Sequence, residues 1–139
     1  MIPFKVIPRK NPVDKSVKYY AQAMNQQQVS IDQICEEVAH SSTATAADVS
    51  AVLKELIVYM QMHLLDGRSV SLGDMGSFHT TLKSQGETDA KDFTAANITN
   101  VMIRWVRPTK LRREFTPGIG SVRFKQVTEK KDDEGNGGN

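Results

Sequence analysis

Apolar residues recur at helical spacing in two runs between Ile31 and Leu65, then alternate with polar ones from Val70 to Trp105, which predicts two helices followed by a sheet. Ser30, with Gln33 three residues on, forms a capping-box pattern, and Ile31, Ile34, Cys35 and Val38 mark a first helix ending near His40. Ser41 to Ala44 is a turn. Thr45 can cap a second helix whose first turn holds Asp48, a carboxylate that complements the helix dipole. Val49, Val52, Leu53, Leu56, Met60 and Leu64 then trace one stripe, and Ile57, Val58 and Tyr59 widen it well beyond one face. A helix apolar on most sides must be buried on most sides, which the first helix alone cannot do. A second copy is the expected cover, with Val52, Leu56, Met60, Leu64 and Phe78 at the dimer interface.

Gly67 stops the second helix, and Val70 and Leu72 point inward from a first strand. Phe78, Thr80 and Leu82 form one face of a second strand. Ser84 to Asp92 is polar and carries Gly86, as a flexible excursion would. Val101, Ile103 and Trp105, alternating with Asn100, Met102 and Arg104, make a third strand. Pro108 opens a short basic helix, Thr109 to Phe115, which Pro117-Gly118 stops.

The ends read as additions. Phe4 and Val6, flanked by Pro3 and Pro8, predict a short strand that its prolines confine to a sheet edge or to strand ends. Asn11-Pro12 signals a turn. Val17, Tyr19 and Ala21 suggest another strand, with a helix as the competing reading, and Asn25 to Gln28 is a polar connector. Val122 and Phe124 suggest one more strand, paired with Phe4 to Ile7. The acidic, basic and glycine-rich tail from Thr128 has nothing to bury and is expected to be disordered. The expected organisation is therefore a strand extension over 1–29, a central domain over 30–115, a second strand extension over 116–127 and a tail over 128–139.

Charge changes the picture through its distribution. The net charge of the 139-residue chain is only +2. From Ser30 to Asp66 there are six acidic residues and one basic; from Arg104 to Lys125 there are seven basic residues and one acidic. Lys5, Arg9, Lys10, Lys15 and Lys18 add a further basic group near the start. A single cysteine, Cys35, cannot form an internal disulfide, and the start lacks the pattern of a secretory signal, so a cytoplasmic location is expected. No apolar run approaches the roughly 20 residues that span a bilayer.

The order of two helices, hairpin, arm, strand and short helix over residues 30–115, a little under two thirds of the chain, resembles the HU and integration host factor family of bacterial architectural DNA-binding proteins. Ile34 through Asp48 are similar to the family's first two helices. Gly67, Val70, Leu72, Gly76 and Phe78 stand where it has a helix-ending glycine, an alternating strand and a glycine-aromatic turn. Arg107-Pro108-Thr109-Lys110 resembles its basic-proline approach to the last helix. The resemblance implies an α+β fold, an intertwined homodimer and double-stranded DNA as partner, and the added strands are similar in plan to a divergent branch. Three departures stand out, the first being that residues 1–29 and 116–139 have no counterpart in the short members of the family. The turn reads Gly73-Asp74-Met75-Gly76, with methionine in place of the usual aromatic. The arm, Gln85 to Asp92, has no proline and three acids against one lysine; this speaks against kinking by an intercalated tip.

Duplex DNA is a dense row of phosphates, and aligned cations gain affinity by releasing its counterions. Arg104 points away from the apolar row of its strand, Arg107 and Lys110 follow, and Lys110 to Arg113 project from one side of the last helix. Lys83 and His79, outward on the second strand, can join them. Lys83, Lys91, Arg104, Arg107, Lys110, Arg112 and Arg113 are therefore the candidate DNA contacts, of a kind that positions a duplex without reading its bases. An ordinary solvated helix face, or partners for the acids of the second helix in another subunit, is the plainer reading of Arg107, Lys110, Arg112 and Arg113. Trp105 is expected in the core rather than as a base-stacking platform. His40, His63 and His79 lack metal-ligand spacing, and the glutamates beside Cys35 oppose thiolate formation. No catalytic residue, metal or cofactor is expected. The leading expectation is HU-like, weakly sequence-selective DNA packaging in the nucleoid; the rival is a dimeric protein-interaction module on the same scaffold that has lost strong DNA binding.

Overall fold

Both long helices begin where a side-chain oxygen can satisfy the first free amides. In the computed structural model, which describes residues 1–24 and 27–128, α1 (Ile31–His40) starts with Ser30 accepting from the Gln33 amide at 3.2 Å. Gln33 does not return the bond; its Nε2 donates to Glu37 one turn on at 3.2 Å, so the box is half formed. At α2 (Ala46–Leu65) it is complete, because Thr45 accepts from the Asp48 amide and Asp48 Oδ2 accepts from the Thr45 amide, each at 3.1 Å. The helix ends in a Schellman motif: Gly67, at φ 75°, donates to Leu64 O and Arg68 donates to His63 O. The expected connector at Asn25 and Gln26 and the expected tail from residue 129 lie outside the described residues.

The described residues divide into two compact units, one of Gln28–Arg113 and one formed by residues 1–24 and 27 with residues 114–128. In the first, α1 and α2 pack together and are followed by an antiparallel sheet ordered β3-β4-β5, with β3 at Val70–Ser71, β4 at Ser77–Ser84 and β5 at Ile98–Val106. A 3-10 turn, Gly73–Met75, joins β3 to β4, and both its bounding glycines have positive φ (Gly73 60°, Gly76 96°). The glycine at 76 is also required by space. A Cβ there would collide with Trp105 Nε1 and lie 2.6 Å from Val106 O. Trp105 in turn donates from Nε1 to Met75 O at 2.9 Å, which fastens β5 to the turn. The short helix α3 (Thr109–Glu114) follows β5.

Strand pairing sorts the sheet into two faces. Val70, Phe78, Thr80 and Leu82 share one face with Val101, Ile103 and Trp105; Ser77, His79, Thr81 and Lys83 share the other with Asn100, Met102, Arg104 and Val106. The apolar face is largely uncovered within the chain, and Trp105, expected in the core, keeps 49% of its surface exposed. On α2, Val52, Ile57, Val58, Tyr59, Met62 and Leu65 are exposed as well. Among the described residues the buried apolar side chains are Cys35 at 3% and Leu64 at 5% exposure.

The second unit is a sheet ordered β2-β1-β6, from β1 (Ile2–Lys10), β2 (Val17–Ala23) and β6 (Phe124–Gln126). β1 pairs antiparallel with β2 through a turn in which Asn11 Oδ1 accepts from the Val13 amide, and parallel with β6. The first strand is thus the centre of its sheet and not the edge its prolines suggest. Ile2 donates to Arg123 O and Phe4 O accepts from Val127, so even-numbered residues turn their backbone groups toward β6. Pro8 therefore aims its missing N–H at a side where β6 has already ended, and Pro3 occupies the last rung opposite β2, its carbonyl accepting from Met24. Among the described residues, no helix is long and apolar enough to cross a membrane.

Candidate nucleic-acid interface

The polar face of β4 and β5 gathers part of the expected cation set. Register sets His79 directly opposite Arg104, and Lys83 follows four residues on, opposite Asn100, on the same face. Arg104 does not extend straight outward: its Nη2 lies 3.8 Å from Met102 Sδ, so the guanidinium is drawn back along β5. Thr81, between these residues, has a hydroxyl that is buried and without a hydrogen-bond partner. Arg107 comes immediately after β5, exposed, and Pro108 then supplies the carbonyl that accepts from the Arg112 amide inside α3.

Lys110 is placed differently from its expectation as a solvent-directed cation. Its Nζ pairs with Asp74 Oδ2 of the β3–β4 turn at 3.0 Å, both side chains being more than 70% exposed. Such a surface pair is worth only about 0 to 1 kcal/mol, too little to hold the lysine against a competing phosphate. Arg112 and Arg113 stand in the last turn of α3, and Arg112 has an interaction of its own. The pairing of Lys110 with Asp74 had no local signal, since the two are 36 residues apart.

Lys91 sits apart from the sheet face, on the segment between β4 and β5. This segment is a closed loop and not an extended ribbon. Gln85 donates to Asn97 O across its base at 2.9 Å, and a bulge between Lys83 and Ser84 ends the regular ladder. Asn97 Nδ2 then donates to Glu87 Oε1 at 2.7 Å, while Thr94 and Asn97 form a reciprocal capping box around the 3-10 turn Ala95–Asn97. The Lys91 amide donates to Asp89 Oδ1. Side chains thus accept from the Lys91 and Thr94 amides in a segment where the sequence suggested a flexible excursion. Thr94 with Asn97 three residues on was the available signal.

Of the side chains expected at a dimer interface, Val52 is exposed, Leu56, Met60 and Phe78 are half-buried, and Leu64 is already buried within its own chain. The exposed residues Val58, Met62 and Leu65 instead follow one another at helical spacing along α2. Among the described residues, no group of three or more histidine, cysteine or acidic side chains is arranged to hold a metal ion.

Comparison with known proteins places these features in a family. Residues 1–120 match the family model HU-HIG, described as an HU domain fused to a wHTH, Ig or glycine-rich motif. A search of curated proteins found no match. Among solved structures, a protein of Bacteroides vulgatus ATCC 8482, proposed in its description to be a bacterial DNA-binding protein, is similar with a TM-score of 0.63 and 12% identity. The similarity covers 91% of this chain and 48% of that one, so the chain spans about half the length of the structure it matches and shares its fold.

Proposed function

Since the chain belongs to the HU-HIG family, HU domains fused to a wHTH, Ig or glycine-rich motif, we propose that it binds double-stranded DNA as a homodimer, through phosphate contacts and with little sequence preference. The observation that carries this reading is the strand register that puts Arg104 opposite His79 and on the same face as Lys83, with Arg107 and α3 continuing from the end of β5. Cations in such a row neutralise successive phosphates, and a two-fold axis doubles them into one saddle.

Dimerisation is supported by how little apolar surface one chain buries. Val58, Met62 and Leu65 on α2 and Val101, Ile103 and Trp105 on β5 are exposed together. Each such side chain contributes about 1.5 to 3 kcal/mol when fully buried, so these two faces hold a driving force that a single chain leaves unused. Family membership supports the DNA-binding role, and packaging of the chromosome is the setting we propose for it.

Binding to random-sequence duplex, measured against salt, tests the reading. Each phosphate contact makes log K fall by about 0.9 per unit of log salt, so a steep slope is expected. Replacing Arg104 and Arg107 together by Ala should reduce affinity for every sequence by about tenfold or more and flatten that slope by about 0.9 per lost contact. A flat titration, or a slope the double variant leaves unchanged, removes this face from the function.

One feature favours a second reading, a dimeric interaction module on the same scaffold. The loop in the place of a DNA-embracing ribbon is closed on itself and carries Glu87, Asp89 and Asp92 against Lys91. Absence of DNA binding at low salt by an intact dimer selects it.

A further inference from the structure

The terminal sheet β2-β1-β6 separates its residues more cleanly than the central one. Odd-numbered residues of β1 share a face with even-numbered residues of β2, and β6 adds Lys125 beside Pro3. That face carries Lys5, Arg9, Lys18 and Lys125 among Ile7, Tyr20 and Gln22, with no acidic strand residue. The opposite face carries Ile2, Phe4, Val6, Tyr19, Ala21 and Phe124, with Lys10, opposite Val17 at the hairpin end, as its charged strand residue. One surface gathers Lys5, Arg9, Lys18 and Lys125, and the other is mainly apolar apart from Lys10 and Gln126.

Two details show that the cations are organised. Register makes Arg9 and Lys18 direct cross-strand partners, an arrangement of like charges that destabilises a ladder unless an anion sits over it. The nearest acid in sequence, Asp14, is already engaged, its Oδ1 accepting from the Ser16 amide at 2.9 Å and the Ser16 hydroxyl at 2.7 Å. Arg9 is also held in place, with its guanidinium carbon 5.6 Å from the centroid of the Tyr20 ring. A guanidinium held over an aromatic face loses less freedom when it binds an anion. Arg9, Lys18 and Tyr20, with Lys10, Asn11 and Ser16, line a shallow cleft at the hairpin end of the sheet.

We infer that this face of the terminal sheet is a second DNA-contacting surface, which grips the phosphate backbone through Arg9, Lys18 and Lys125. A duplex presents one charge per roughly 1.7 Å of its axis, so cations spread along and across three strands each meet a phosphate. The cross-strand repulsion then becomes an attraction shared by two cations for one anion. Neutral Ile7 and Gln22 between the charges supply no base-reading constellation, so the surface adds affinity without sequence preference. The inference shares with the proposed function the premise that DNA is the ligand, and its test keeps the two surfaces apart.

The experiment measures binding of the full chain to random-sequence duplex DNA across a salt series. Four proteins are compared: the unaltered chain, an Arg9→Gln/Lys18→Gln/Lys125→Gln variant, the Arg104→Ala/Arg107→Ala variant and a Lys18→Arg variant. The triple variant is expected to lose about tenfold in low-salt affinity and to flatten the log–log slope by about 0.9 for each contact removed, while Lys18→Arg alone keeps both. Loss in both variants supports both surfaces. Loss in the Arg104/Arg107 variant alone overturns the terminal surface and leaves the central one standing; loss in the triple variant alone does the reverse. An unaltered chain that fails to bind overturns both. Lysine acetylation of the unaltered chain, mapped with and without duplex, gives a readout free of folding effects. Protection of Lys18 and Lys125 by DNA is expected. Full reactivity in its presence would mean that the face serves an acidic protein or none, and overturns the assignment.

Discussion

The two sheets of this protein use the same parity rule and reach different surfaces. In the central sheet the cations Lys83 and Arg104 are diluted by Thr81, Met102 and Asn100, and the neighbouring turn supplies Asp74, which captures Lys110. In the terminal sheet four cations, Lys5, Arg9, Lys18 and Lys125, share one face, two of them directly opposite each other, and the acid of the neighbouring turn, Asp14, is engaged by Ser16 instead. The central sheet is built from strands in sequence order, all antiparallel; the terminal one closes with a parallel pair between strands from opposite parts of the chain. A net charge of +2 conceals both patterns. Charge matters here rung by rung, through which side of a strand each residue faces.

The largest expected effect tests whether the central unit leans on a partner. Placing Asp at Val58 and Met62 together would bury two unpaired charges in any assembly through α2, at a cost above about 3 kcal/mol. Sedimentation should show the variant dissociated and DNA affinity should drop at least a hundredfold. An unchanged mass would show that the Val58 and Met62 side of α2 lies outside any interface. A smaller effect sharpens the contrast between the sheets. Gly76→Ala must force a Cβ against Trp105 and adopt a positive φ, which costs about 2 to 4 kcal/mol. Its melting temperature should fall and the emission of the single tryptophan should shift, whereas Arg9 should remain over Tyr20, as nuclear Overhauser contacts would report.

The smallest effect concerns a cap. Thr45→Ala removes the acceptor for the Asp48 amide and should cost about 1 kcal/mol. Hydrogen bonds from the Thr45 hydroxyl and amide hold the Asp48 carboxyl below its ordinary pKa. A group depressed in the folded state adds stability above its unfolded pKa, and that stability is lost as pH falls through the folded value. Acid melts of the unaltered chain should show this loss below the usual carboxylate range. In Thr45→Ala the loss should be reduced; an identical acid profile would remove the Asp48 bonds from the account.

What was legible in the sequence follows the reach of each interaction. Ser30, Thr45 and Gly67 announced the helix ends because caps and Schellman turns are made within a few residues. The alternation of Val101, Ile103 and Trp105 announced β5 for the same reason. The pairing of the first strand with one around Phe124 was legible, but its central place was not, because Pro3 and Pro8 argue for an edge until it is known where β6 stops. The stretch from Ser84 to Asp92 read as a flexible excursion because its polar composition says nothing of the bond from Asn97 to Glu87. At the candidate interface, residue type and strand parity proposed Lys83 and Arg104, but Lys110 met Asp74 through tertiary approach alone.

The parallel pairing of β1 with β6 also has a mechanical meaning. Tension applied between residue 2 and residue 127 would run along the strands, because in a parallel pair the start of one and the finish of the other lie at opposite ends. The bonds from Ile2 to Arg123 and from Val127 to Phe4 would be loaded together and sheared, not peeled one at a time. The sheet is thus a clasp that resists being drawn out lengthwise.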